Sequence, residues 1–180
     1  MPKCGAILID GHNLIGAGVF SDLLSYQSSS GPVFSVEMYL IGRPDAHLVN
    51  IASAAAFTGL PFGSTYAASK WAVLGFSESI RLELVEQGRR HVHVTTVCPG
   101  YVGTGMFEGA RALRLTRLLT PERIADLTVR AVLSNRTMVM TPWVVALGPT
   151  LRGVLPRPVF DWVAALFGAR RSMADWRGRG

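Results

Sequence analysis

Residues 47–70 read HLVNIASAAAFTGLPFGSTYAASK. The first seven are apolar almost without interruption (Leu48, Val49, Ile51, Ala52) and end at Ser53. A strand buried on both faces, as in a parallel sheet, has this pattern. Gly59-Leu60-Pro61 then breaks the chain. Ser64 or Thr65 supplies a cap for a helix that begins near Tyr66. Along it Ala67, Trp71, Leu74, Ser77/Glu78, Arg81/Leu82 and Val85 follow the 3.6-residue period, and Gly88 is a natural stop. His91–Cys98, HVHVTTVC, has the β-branched content of a second strand, which Pro99-Gly100 ends. Strand, helix and strand in this order make a βαβ unit and predict a parallel sheet.

Working outward, Ala6–Ile9 is a short apolar run closed by Asp10-Gly11, a buried strand followed by a turn. Gly11, Gly16 and Gly18 do not match the G-x-G-x-x-G turn that cradles a pyrophosphate. Tyr26–Pro32 is a polar loop, Val33–Ile41 is apolar and either strand or short helix, and Gly42–Asp45 is a turn. On the other side, Met106–Leu119 mixes arginine and leucine as a helical lid would. Thr120-Pro121-Glu122 starts a helix with a cap, a proline at the first position and an acid in the first turn, running to about Ser134. Thr137–Thr141 reads as an edge strand. From Trp143 to Gly180 aromatic and apolar residues alternate with arginines, an amphipathic composition suited either to a membrane interface or to packing on the domain or a second subunit. Residues 1–142 thus form one core and 143–180 a basic extension of the same domain.

The 180 residues suit a single core, and sparse charge with abundant apolar residues excludes a disordered chain. The net charge of +6 is carried almost entirely by arginine, Lys3 and Lys70 being the only lysines. No nucleic-acid motif accompanies it. Cys4 and Cys98 are too few for a disulfide framework or a zinc site, and no metal site is expected. A reduced, cytoplasmic compartment is the expectation, with peripheral membrane contact as its variant. The amino terminus lacks the composition of a secretory leader, and no apolar run approaches the roughly 20 residues that span a bilayer.

Ser53, Tyr66 and Lys70 carry the chemistry that the pattern suggests. Tyr66 and Lys70 are four apart and share a helix face. A tyrosine alone is a poor proton-transfer group at neutral pH, and a nearby ammonium favours its phenolate, so the pair builds a general acid/base. Ser53 ends the preceding strand, where open α/β sheets place ligands, and its hydroxyl can donate to the same carbonyl oxygen. Hydride has to come from a cofactor, because no side chain supplies one.

With those residues in hand, 47–104 resembles the core of the short-chain dehydrogenase/reductase family. That family shows an apolar strand ending in serine, twelve residues, Tyr-x-x-x-Lys, a long helix, a strand and Pro-Gly. VNIAS, YAASK and CPGYVGT stand at those places here. The resemblance implies an α/β fold, a doubly wound Rossmann-like parallel sheet in three αβα layers, incomplete in this chain. It implies an NAD- or NADP-dependent oxidoreductase that interconverts an alcohol and a carbonyl, with a small and hydrophobic substrate. It assigns Tyr66 as acid/base, Lys70 as its tuner and a binder of the nicotinamide ribose, and Ser53 as the holder of the substrate carbonyl. Pro99, Gly100, Val102 and Thr104 would meet the nicotinamide, and Gly105–Leu119 would shape the substrate pocket. Thr120–Gly180 is similar to members acting on retinol-like, steroid or long-chain lipid alcohols.

The chain departs from the family at its start. Ile7–Leu23 resembles the fourth strand and its following loop, with Asp10-Gly11-His12-Asn13 where Asn-Asn-Ala-Gly is expected. The nucleotide-binding half is therefore expected to be missing. The family's catalytic asparagine has no clear counterpart, Asn13 being poorly placed and Val36–Gly42 holding none. The alternative that follows is an inactive truncated relative or an interaction module, forming a homo-oligomer or docking on a full-length relative.

Overall fold

The computed structural model describes residues 6–10 (as backbone), 46–104, 107, 109–114 and 116–177. Among the described residues four strands, β1 (Ala6–Asp10), β2 (Ala46–Ile51), β3 (Val92–Pro99) and β4 (Met138–Thr141), form one sheet in the order β1-β2-β3-β4. Every pairing is parallel, with Leu48 opposite Val94 and Asn50 opposite Thr96. The helices are α1 (Ser64–Glu86), α2 (Pro121–Leu133), α3 (Trp143–Val154) and α4 (Arg157–Leu166). The expectation of a partial Rossmann-like α/β arrangement, a parallel sheet flanked by helices, holds. The readings made on residues 11–45 lie outside the described residues.

Side chains alternate across a strand, so β2 and β3 each show two faces. Ala46, Leu48, Val92 and Val94 pack under Ile80, Leu84 and Phe76 of α1. Nearer the strands' carboxyl ends Ala52, Ala56, Val73 and Cys98 continue the core. Burial of a side chain such as Leu48 contributes about 1.5–3 kcal/mol. Between the two clusters Asn50, fully buried, donates from Nδ2 to Ser77 Oγ at 2.8 Å, and Ser77 donates to Val73 O at 2.6 Å. On the opposite face His47 and His93 are cross-strand neighbours with ring centroids 5.7 Å apart.

The buried stripe of α1 is Ala67, Lys70, Val73, Ser77, Ile80 and Leu84. Trp71, Leu82 and Val85, which follow the sequence period, are exposed. The inward stripe carries a lysine and a serine, and their polarity disguises it. Neither Ser64 nor Thr65 caps this helix. Gly63 holds the cap position, and Ala67 N donates to Gly63 O at 2.9 Å to start the ladder. Gly88 does close it: φ is +71°, Gly88 N donates to Val85 O and Arg89 N to Leu84 O. This paired closure satisfies two terminal carbonyls. In α2 the Thr120 hydroxyl accepts from Arg123 N at 3.3 Å, as expected of a cap.

The expectation of a helical lid needs correction. The described residues between Phe107 and Leu119 contain no helix. They run irregularly along the carboxyl-terminal segment, with Arg111 N donating to Ser172 O at 2.8 Å and Arg114 N to Phe167 O at 2.9 Å. The 143–177 segment packs partly on the domain: Arg152 donates to Phe57 O at 2.8 Å and lies over the Trp71 ring at 4.4 Å. Trp143, Val154 and Trp162 stay exposed. No helix among the described residues is long and apolar enough to cross a membrane.

Candidate active site

β2 ends at Ile51, and two residues later Ser53 caps a short 3-10 turn, Ala54–Ala56. Its Oγ accepts from Ala55 N at 3.2 Å. An oxygen occupied as an acceptor still has its own O–H to give. Ser53 is 7% exposed. Tyr66 stands on the first turn of α1, half-buried, its ring edge-on to Phe107 at 5.5 Å between centroids. Lys70, one turn on, is 3% exposed. Its Nζ donates to Ile51 O at 3.1 Å and lies 5.7 Å from the centre of the Tyr66 ring. One ammonium therefore ties α1 to the end of β2 and places positive charge beneath Tyr66. Burying a lysine is costly unless its charge is partnered, and here the strand-end carbonyl is one partner.

Ser53 and Tyr66 line one cavity of about 80 Å³. Gly100, Tyr101 and Phe107 extend it, and Leu113, Val145 and Ser172 are on its far side. The lining is mostly apolar. Burial pushes the Tyr101 hydroxyl's pKa up, and a hydrogen bond with Ser172 opposes the shift. Burial likewise pushes the Cys98 thiol up to about 12, outweighing the Ser53 backbone and the Lys70 charge. A thiol held protonated this way is an inert core group. Among the described residues no cluster of metal-ligating side chains forms.

The remaining sequence candidates are placed unevenly. Pro99 is the last residue of β3 and Gly100 lines the cavity, its N–H donating to Thr141 O at 2.7 Å. Val102 forms an isolated bridge with Leu119, while Thr104 is exposed and its N–H donates to Val102 O at 2.9 Å. Neither lines the cavity. Tyr101 and Ser172 are not singled out by the sequence, whereas Phe107 and Leu113 fall in the Gly105–Leu119 stretch expected to shape the pocket. Tyr101 follows Pro99-Gly100 directly, and that adjacency was the one available signal. Ser172 reaches the site only through tertiary packing.

Residues 31–114 match the short chain dehydrogenase family. "Estradiol 17-beta-dehydrogenase 11" of Rattus norvegicus is 32% identical over 115 residues, 64% of this chain and 38% of the relative. "Epidermal retinol dehydrogenase 2" of Homo sapiens is 31% identical over 136 residues, 74% of this chain and 44% of the relative. The chain belongs to the short-chain dehydrogenase family. It spans less than half the length of those two relatives. The fold has the same affiliation: a short chain dehydrogenase from Burkholderia cenocepacia J2315, solved in complex with NADP, superposes with a TM-score of 0.58 at 18% identity, over 86% of this chain and 57% of that one.

For a short-chain dehydrogenase the donor set can be compared with what a nicotinamide ribose presents. Tyr66 brings a hydroxyl to the cavity, Lys70 lies behind it with its Nζ on Ile51 O, and the carboxyl ends of such sheets are where ligands are held. These residues suit the nicotinamide end of a dinucleotide.

Proposed function

We propose that this chain carries the reacting site of a nicotinamide-dependent dehydrogenase that interconverts an alcohol and a carbonyl. One observation carries the reading: Ser53 and Tyr66 share a cavity while Lys70 is buried beside the Tyr66 ring. A nicotinamide dinucleotide, NAD or NADP, supplies the acceptor or donor of hydride when bound. In the oxidising direction the substrate O–H proton passes to the Tyr66 oxygen as the carbonyl C=O forms and the C–H electron pair departs as hydride. In the reducing direction Tyr66 returns the proton to the same oxygen. Ser53 donates its O–H to that oxygen and holds it through both directions. Lys70 supplies positive charge beside the tyrosine while its oxygen is short of a proton, and Tyr66, which lines the cavity, is the candidate to meet the ribose. Gly100 shapes the cavity end where the nicotinamide would lie, Pro99 ends the strand that leads to it, and Val102 and Thr104 would contribute through the segment that leaves it.

Tyr66→Phe tests this. It should lower turnover of an alcohol by roughly 10²–10⁴-fold with an unchanged melting temperature. Retained turnover would sink the assignment of the acid/base. A second reading, attachment to a membrane surface, is favoured by exposed Trp143 and Trp162. Flotation with anionic vesicles should carry the chain upward, and its staying at the bottom removes that reading.

A further inference from the structure

The cavity that Ser53 and Tyr66 line holds only about 80 Å³. Pockets that enclose a whole small-molecule ligand hold roughly 300–1,000 Å³. The cavity can therefore take the reacting end of a substrate, and the remainder has to leave through its mouth. A groove adjoins the cavity on one side. Thr58, Gly59, Leu60 and Ala169 line both this cavity and the groove, which holds about 810 Å³.

The groove differs from the cavity in chemistry. Leu60, Leu155 and Phe160 give it apolar surface, and Arg152, Arg157 and Arg170 face it with a single carboxylate, Asp161. Arg152 is held in place by the Trp71 ring and Phe57 O. Arg157 and Arg170 are exposed, and no ion pair joins either to Asp161 among the described residues. Three guanidinium groups against one carboxylate leave a net positive field along a partly apolar trough. Guanidinium groups are suited to carboxylate and phosphate.

We infer that the substrate is an amphiphile with an anionic far end: its alcohol or carbonyl enters the cavity, its apolar stem lies on Leu60 and Phe160, and a carboxylate or phosphate sits among Arg152, Arg157 and Arg170. The inference rests on the alcohol/carbonyl reading for the near end and supplies the substrate class.

The test is a fluorescence titration of the full chain with 11-(dansylamino)undecanoate and with its methyl ester. No nicotinamide nucleotide is present and no turnover is read, so the result stands apart from the Tyr66 experiment. At low salt the acid should bind about tenfold or more tightly than the ester, and the difference should shrink as salt screens it. The Arg157→Gln/Arg170→Gln double variant, both sites exposed, should bind acid and ester alike. Dodecanoate and dodecyl phosphate should displace the probe at lower concentration than dodecan-1-ol, which has the near end and the stem but no anionic far end. Equal affinity for acid and ester in the unaltered chain overturns the inference, as does an undiminished preference in the double variant or displacement by the alcohol as readily as by the acids.

Discussion

One wall of the cavity comes from strand ends and the first turns of α1, and the facing wall from two irregular segments that meet across 64 residues of chain, as Arg111 does with Asp175. The first wall is buried and cross-braced. Lys70 reaches back to Ile51, Asn50 bonds Ser77, and Leu48 with Ile80 fills the space beneath. The second buries Ser172 and Met173 but carries its side-chain ion pair at the surface. Backbone bonds run from Arg111 and Arg114 to Ser172 and Phe167, and Gly109, at φ +84°, lies so close to Asp175 that a Cβ would fall 2.0 Å from its carbonyl oxygen. Groups that must hold a proton in one place gain from a stiff support. Groups that only shape a pocket can sit on loops, where change is tolerated.

The comparison breaks most visibly at Leu48. Leu48→Ala removes a side chain that is 1% exposed under α1 and should cost about 2–5 kcal/mol, read from the denaturation midpoint. A cost below about 1 kcal/mol would mean that the reacting wall is not the stiff one.

The sheet face away from α1 gives a smaller, pH-dependent effect. His47 is buried, and its Nε2 lies 2.6 Å from Thr95 Oγ1, whose own hydrogen goes to Arg136 O. Nε2 is therefore the donor. Burial first, and the His93 ring second, hold the His47 pKa below its ordinary 6.5. The unfolded chain then binds a proton that the folded chain refuses. Stability from this site is complete above about pH 6.5 and declines as pH falls below it. Melting temperatures between pH 6.5 and 5 should fall, and less steeply in His93→Gln. A flat profile in the unaltered chain would remove His47 as the cause.

The surface ion pair should respond least. Arg111 and Asp175 pair at 2.7 Å with side chains 78% and 57% exposed, a setting in which an ion pair contributes about 0–1 kcal/mol. Arg111→Gln should leave the denaturation midpoint within that range at any salt concentration. A larger loss would make the second wall as strongly braced as the first.

The sequence and the structure agree where the signal is local. β2 shows as an apolar run, β3 as β-branched residues before Pro99-Gly100, and the end of α1 as Gly88. They diverge where polarity is buried or contacts are distant. The inward stripe of α1 is hard to read because Lys70 and Ser77 lie on it, and each is accommodated by a group from β2 that sequence spacing does not reveal. The irregular run before Leu119 has a helical composition, but its backbone bonds go to Phe167 and Ser172. Of the cavity, the Ser53 and Tyr66 side is legible from spacing and the Phe107 stretch from the resemblance, while Tyr101 and Ser172 are not.

The burial of Lys70 has a practical consequence. It is one of only two lysines in the chain, and it is covered by the helix that carries it. An acylating reagent in solution reaches its Nζ only while α1 lifts from the end of β2. The rate at which residue 70 is acetylated, followed by mass spectrometry, is therefore a clock for that local opening. It times the loosening of the reacting wall without a probe having to be introduced.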